Sequence, residues 1–147
     1  MSAGVVLVAT GAETYIELAA RAAASVKRHC PGLPVDLYTD ADRQLPAFDR
    51  VHRLDDPWFR SKIDALMASR FARTLYMDAD MLALADFRDV FEVLERFDIA
   101  LAHDWLRNSP LHHTFWRKPL PPAFPMFNGG LIAVRRTPAT TASDVRS

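Results

Sequence analysis

Thr74-Leu75-Tyr76-Met77-Asp78-Ala79-Asp80 is the stretch from which the rest of the chain can be read. A β-prone, mostly apolar run leads straight into two carboxylates separated by one small residue, as in a buried strand that stops at a polar edge. Residues two apart on an extended chain point to the same side, so Asp78 and Asp80 can address one hard divalent cation. Carboxylate oxygens suit magnesium or manganese, which commonly bridge to substrate phosphates. Asp is also a favoured turn residue, and the tripeptide alone leaves open a strand that simply ends in a turn.

Working outward, the segment Ser61 to Arg70 carries Ile63, Leu66 and Met67 on one helical face and delivers the chain into this strand. Val5 to Ala9 reads as a fully buried strand. Ala12 to His29 follows as an amphipathic helix, with Tyr15, Leu18, Ala19, Ala22 and Val26 at helical spacing and Pro31-Gly32 to close it. Pro34 to Thr39 is a second strand, Asp40 to Asp49 a loop, and Arg50 to Leu54 a short third strand. Downstream, Asp86 to Arg96 is expected to be a helix, N-capped by Asp86 with Phe87, Val90, Phe91 and Leu94 facing inward. Asp98 to Ala102 is a strand, and His103 to Pro125 is polar, aromatic and Pro-rich, hence irregular. Phe127 to Val134 returns to strand character, interrupted by Gly129-Gly130.

Alternating strands and helices with near-continuous apolar strands predict an α/β domain, a mainly parallel Rossmann-like sheet between helices. Ligands of such sheets bind beyond the carboxyl ends of the strands, which here carry Thr10, Asp40, Asp78, Asp80, His103 and Asp104.

Composition narrows the function classes. The 147 residues hold 18 basic and 18 acidic side chains and a net charge of zero. Lys27/Arg28, Arg117/Lys118 and Arg135/Arg136 are scattered pairs rather than a basic stripe, which argues against a nucleic-acid partner. The single Cys30 has no partner for an internal disulfide, and a reducing, cytoplasmic setting follows by default. No apolar run approaches the roughly 20 residues of a membrane span, and the start lacks a signal-peptide profile. His112-His113 lack the Cys or Glu spacing of a metal site and read as loop histidines. Trp105, Phe115 and Trp116 read equally as an acceptor platform or as loop anchors, and Met67, Met77 and Met81 as core fillers.

Three blocks then combine. Ser61-Lys62-Ile63-Asp64-Ala65-Leu66 precedes the Asp-x-Asp strand, and Phe127-Asn128-Gly129-Gly130 with its apolar continuation follows it. This order resembles nucleotide-sugar glycosyltransferases of the GT-A fold, with the likeness strongest to the glycogenin and lipopolysaccharide-galactosyltransferase group. It covers about residues 4 to 136, and its specific parts are the Asp-x-Asp and Phe-Asn-Gly-Gly blocks.

The resemblance implies that Asp78 and Asp80 hold a manganese (or magnesium) ion against the diphosphate of a nucleotide sugar, with Ala79 between them in the donor site. Such an ion acts chiefly as a Lewis acid on the leaving diphosphate. By the same likeness Thr10 would lie at the nucleoside, with Tyr15 a candidate to stack on the base; core packing on its own helix is the alternative for Tyr15. Lys62 would reach the donor's phosphate or sugar, a task suited to an ammonium on a flexible stem; without the likeness it reads as an exposed helix lysine. Asn128, Gly129 and Gly130 would lie near the donor sugar, where absent side chains let backbone approach. Asp104 would contact a sugar hydroxyl, or equally cap the turn. The family more often has Ser or Ala where Gly129 stands. Its catalytic domain also continues into a His-containing segment that supplies a further metal ligand. Thr137 to Ser147 is short, polar and without His, so residues 1–136 are expected to be a partial GT-A-like domain and 137–147 the truncated start of a further segment.

The function implied is transfer of a sugar from a UDP-sugar to an acceptor hydroxyl on a glycan, a lipid-linked sugar or a protein, with retention of anomeric configuration. Two alternatives come from other classes. A strand ending in Asp-x-Asp also marks magnesium-dependent phosphohydrolases, in which Asp78 would be the nucleophile. A truncated domain that binds nucleotide or self-associates without turnover is the other, exposed apolar surface driving assembly. No Gly-rich turn follows the first strand, since Thr10-Gly11-Ala12 contains one Gly, and this disfavours dinucleotide and P-loop enzymes.

Overall fold

The computed structural model describes residues 2–104, 121, 123 and 126–140. Six strands and three helices alternate: β1 (Ala3–Ala9), α1 (Glu13–His29), β2 (Val35–Thr39), β3 (Arg50–Arg53), α2 (Ser61–Ala68), β4 (Arg73–Met77), α3 (Val90–Val93), β5 (Ile99–His103) and β6 (Phe127–Arg135). The strands form one sheet in the order β3-β2-β1-β4-β6-β5. β1, β2, β3 and β4 pair in parallel, while β6 runs antiparallel to both β4 and β5. The sheet is thus α/β and mainly parallel, as the sequence predicts.

The period of two along β1 builds two cores. Val5, Leu7 and Ala9 face α1 and join Leu75, Met77, Phe91 and Leu94, whereas Val6 faces Ala65, Phe71 and Tyr76 on the α2 side. Helices therefore cover both faces, which is why β1 is apolar without alternation and every residue of β2 is buried. α1 presents Ile16, Ala19, Ala22, Ala23 and Val26 to the sheet, and its small residues bring helix and sheet close. Its last turn closes through the Cys30 amide on the Val26 carbonyl at 2.7 Å, followed by Gly32 at φ +83°.

Two expectations need correcting. The helix predicted over Asp86 to Arg96 contracts to one turn at Val90–Val93, and Asp86 is not its cap. The Asp86 carboxylate instead accepts the Arg88 amide at 3.0 Å and binds the Arg88 guanidinium, a local turn that competes with helix initiation. Phe91 and Leu94 are nonetheless buried as predicted. α2 turns Ser61 and Ala65, not Ile63 and Met67, toward the sheet.

β2 contains a buried charge. Asp36 is 1% exposed and is gripped by the Arg70 guanidinium through Nε at 2.8 Å and Nη2 at 3.0 Å, with His52 Nε2 at 3.1 Å. His52 also stacks on Tyr38 at 4.5 Å. These contacts tie β2 and β3 to the α2–β4 connection.

Candidate active site

The carboxyl ends of β1, β2, β4 and β5 open onto one edge of the sheet, and β6, running the other way, begins there. α2 also starts at this edge, because the chain must descend along it before β4 returns. Its first turn is fixed by Ser61, whose hydroxyl accepts the Trp58 amide at 2.9 Å and donates to the Trp58 carbonyl at 2.8 Å. Lys62 therefore stands beside the end of β4.

The strand geometry assumed for Asp78 and Asp80 stops at Met77. The Met81 amide donates to the Asp78 carbonyl at 3.1 Å, so Asp78-Ala79-Asp80-Met81 is a turn. The two carboxylates nonetheless line one cavity of about 290 Å³, together with Val8, Tyr15, Leu18, Tyr76 and Ala79. Tyr15 is 54% exposed, so the packing alternative for it does not hold.

β6 meets Asp78 through backbone and side chain. The Asp78 amide donates to the Gly130 carbonyl at 2.8 Å, continuing the β4–β6 ladder past Met77↔Leu131. On the other side of β6 the register jumps from Leu101↔Ile132 to Ala102↔Asn128, so Gly129-Gly130-Leu131 has no partner in β5. This bulge is where the sequence places its two glycines, as backbone that must bend and approach a neighbour requires. A β-carbon at position 130 would come within 2.9 Å of Asp78 Oδ2 and of Asn128 Oδ1. Asn128 Oδ1 accepts the Gly130 amide at 2.7 Å and braces the bulge.

Lys62 closes the group. Its ammonium donates to Asp78 Oδ1 at 3.2 Å and to the Gly129 carbonyl at 2.9 Å. It also sits 5.0 Å from the centre of the Tyr76 ring. Tyr76 donates its hydroxyl to the same Asp78 Oδ1 at 2.5 Å, and burial, reinforced by that bond, pushes its phenol well above the usual range. The Asp80 carboxylate is exposed and makes no hydrogen bond or ion pair with a described residue.

Lys62, Asp78, Asn128, Gly129 and Gly130 are thus linked by direct contacts, and Tyr15, Ala79 and Asp80 share the cavity with Asp78. Thr10 stands at the same edge outside that cavity's lining, followed by Gly11 at φ +84°, whose amide donates to the Asp40 carboxylate at 3.1 Å. Asp104 is half-buried one residue beyond β5, and its amide donates to the Met126 carbonyl at 2.9 Å. Trp105, His112, His113, Phe115 and Trp116 lie outside the described residues. Sequence reading passed over Tyr76, although its place two residues before Asp78 puts it on the α2 side of β4, beside Lys62.

Among the described residues two carboxylates here face one ammonium, with Asp78 Oδ2 and both Asp80 oxygens unclaimed by any of them. Such a hard oxygen donor set fits magnesium or manganese completed by water and phosphate oxygens. Among the described residues no group of three or more His, Cys, Asp or Glu side chains is placed to hold a metal by itself. No helix among them is long and apolar enough to cross a membrane.

No family model matches the chain, and no curated protein is similar to it. Solved structures are. The apo form of the glycosyltransferase GlyE from Streptococcus pneumoniae TIGR4 superposes with a TM-score of 0.65 at 19% identity, covering 92% of this chain and 34% of GlyE. The galactosyltransferase LgtC, in complex with donor and acceptor sugar analogs, superposes with a TM-score of 0.60 at 14% identity, covering 90% of this chain and 57% of LgtC. The chain spans about a third of the first and somewhat over half of the second. Over that span it has the fold of these glycosyltransferases.

Proposed function

We propose that this chain is the donor-binding part of a metal-dependent glycosyltransferase, which takes a sugar from a UDP-sugar and places it on an acceptor hydroxyl with retention of configuration. One observation carries the reading: Lys62, Asp78 and Gly129, far apart in sequence, converge within hydrogen-bond distance beside a cavity shared by Asp78, Asp80 and an exposed Tyr15. The shared fold with GlyE and LgtC supports it, as do the donor and acceptor sugar analogs that LgtC binds.

Tyr15 offers an aromatic face at the mouth of the cavity to stack on the base, and Thr10 lies at the nucleoside end. Asp78 and Asp80 would hold a manganese or magnesium ion, which when bound supplies Lewis-acid charge to the departing diphosphate. Lys62 adds a second cation at the same place. In transfer, the bond from the anomeric carbon to the diphosphate oxygen breaks and its electron pair leaves on the nucleoside diphosphate. A bond from the acceptor oxygen to that carbon forms as the hydroxyl proton passes to the departing diphosphate oxygen. This chain's part is to bind and orient the donor and to stabilise the leaving charge. Gly129 leaves room for the sugar, Gly130 gives its space to the Asp78 carboxylate, and Asp104 at the neighbouring strand end would contact a sugar hydroxyl.

The test is a calorimetric titration of UDP into the folded chain with manganese and again with EDTA. Saturable binding that needs the metal, and that Asp80→Asn abolishes, is the expected result. Metal-independent binding, or binding unchanged in Asp80→Asn, would refute the assigned cation site. Hydrolysis of an aryl phosphate that Asp78→Asn abolishes would instead select the phosphohydrolase reading.

A further inference from the structure

Tyr76 is 3% exposed, yet both of its functional faces meet the site. Its ring lies under the Lys62 ammonium, and its hydroxyl donates to Asp78 Oδ1, the oxygen that Lys62 also bonds. Oδ1 thus receives two donors, and Oδ2 receives none among the described residues. Turning the carboxylate about its Cβ–Cγ bond would break both bonds, and Gly130, whose absent side chain leaves Oδ2 its space, sits against the other oxygen.

We propose that Tyr76 is a positioning residue of the donor site: with Lys62 it occupies Asp78 Oδ1, and so commits Oδ2, beside the Asp80 carboxylate, to the cation. The inference rests on the metal-dependent reading above and adds to it which oxygen serves and what holds it there. It also separates two roles of one side chain. The ring supports Lys62 and fills the α2-side core, whereas the hydroxyl acts on the carboxylate alone. A purely structural Tyr76 would be replaced without loss by Phe.

The experiment compares wild type, Tyr76→Phe, and a chain carrying 4-aminophenylalanine at position 76, which returns a donor to the ring. Each is checked for cooperative melting and then titrated with UDP, with manganese and with EDTA. Tyr76→Phe is expected to stay folded and to bind UDP with manganese roughly tenfold more weakly, as loss of a hydrogen bond to a charged group implies. Its residual binding in EDTA should match wild type, and 4-aminophenylalanine should recover most of the manganese-dependent affinity. Wild-type affinity in Tyr76→Phe, an equal loss with and without metal, or no rescue by the amino variant would each overturn the inference while leaving the donor site standing. A folded wild type that binds no UDP with manganese would overturn the metal-dependent reading itself, and this inference with it.

Discussion

Gly130 stands so close to Asp78 that a β-carbon on it would lie 2.9 Å from the carboxylate Oδ2. Its neighbour Gly129 is different, since among the described residues a β-carbon there would meet only the Lys62 ammonium, at an ordinary 3.5 Å. Gly130→Ala should therefore displace the carboxylate and weaken manganese-dependent UDP binding by on the order of a hundredfold, as misplacing a site group by about 1 Å can do. Gly129→Ala should bind UDP within a few-fold of wild type. Paired titrations of the two variants check this, and equal affinities would refute the geometry.

The ring of Phe71 occupies the space beside Gly4, where an added β-carbon would fall 2.4 to 2.6 Å from three ring carbons. Phe71 is 2% exposed in the α2-side core and has little room to withdraw. Gly4→Ala should cost about 1–3 kcal/mol, the usual penalty of overpacking. Denaturant unfolding measures it, and the double variant Gly4→Ala/Phe71→Leu should recover part of the loss.

Arg70 is the main partner of Asp36, a carboxylate that solvent barely reaches. Arg70→Leu leaves that charge to His52 alone and should destabilise the fold by about 3 kcal/mol. Adding Asp36→Asn to Arg70→Leu removes the stranded charge, so the double variant should be more stable than Arg70→Leu. A strictly additive cycle would argue against the coupling.

Asp49 gives the fold an acid dependence of known sign. Burial raises its pKa, but the Val35 amide at 2.9 Å and the Lys27 ammonium at 3.3 Å outweigh this, and the net shift is downward. A lowered folded value means that the carboxylate's contribution is complete above the ordinary carboxylate range. It is lost as the pH falls through the folded value. Asp49→Asn should therefore melt below wild type at neutral pH, with the gap closing on acidification. A gap constant with pH would refute the assignment.

The sheet was legible because the strands buried on both faces announce themselves as apolar runs, as β1 and β4 do, and because Pro31-Gly32 stops α1 where periodicity also ends. The helix at Asp86 misled because its residues have helical spacing, while the competing Asp86–Arg88 turn depends on a local bond that spacing does not encode. α2 misled in another way, since Ser61 and Ala65 reach the sheet by being small rather than apolar and large. At the site, residue types pointed to Asp78 and Asp80, and the family resemblance to Lys62 and Gly129-Gly130. What they omitted was the register jump in β6, which decides that Gly129 offers its carbonyl to Lys62 and Gly130 its bare α-carbon to Asp78.

The pairing of His103 with Phe127 closes β5 and β6 into a stem at the edge where donor and acceptor would meet. A stem closed by its own ladder holds its two strand ends through hydrogen bonds of its own, and the entropy of closing a loop grows only slowly with length, by about 0.6 kcal/mol per doubling. The contacts that join Asp78, Lys62 and the bulge are thus held by the ladder itself, with the Asp104 amide on the Met126 carbonyl extending it one step.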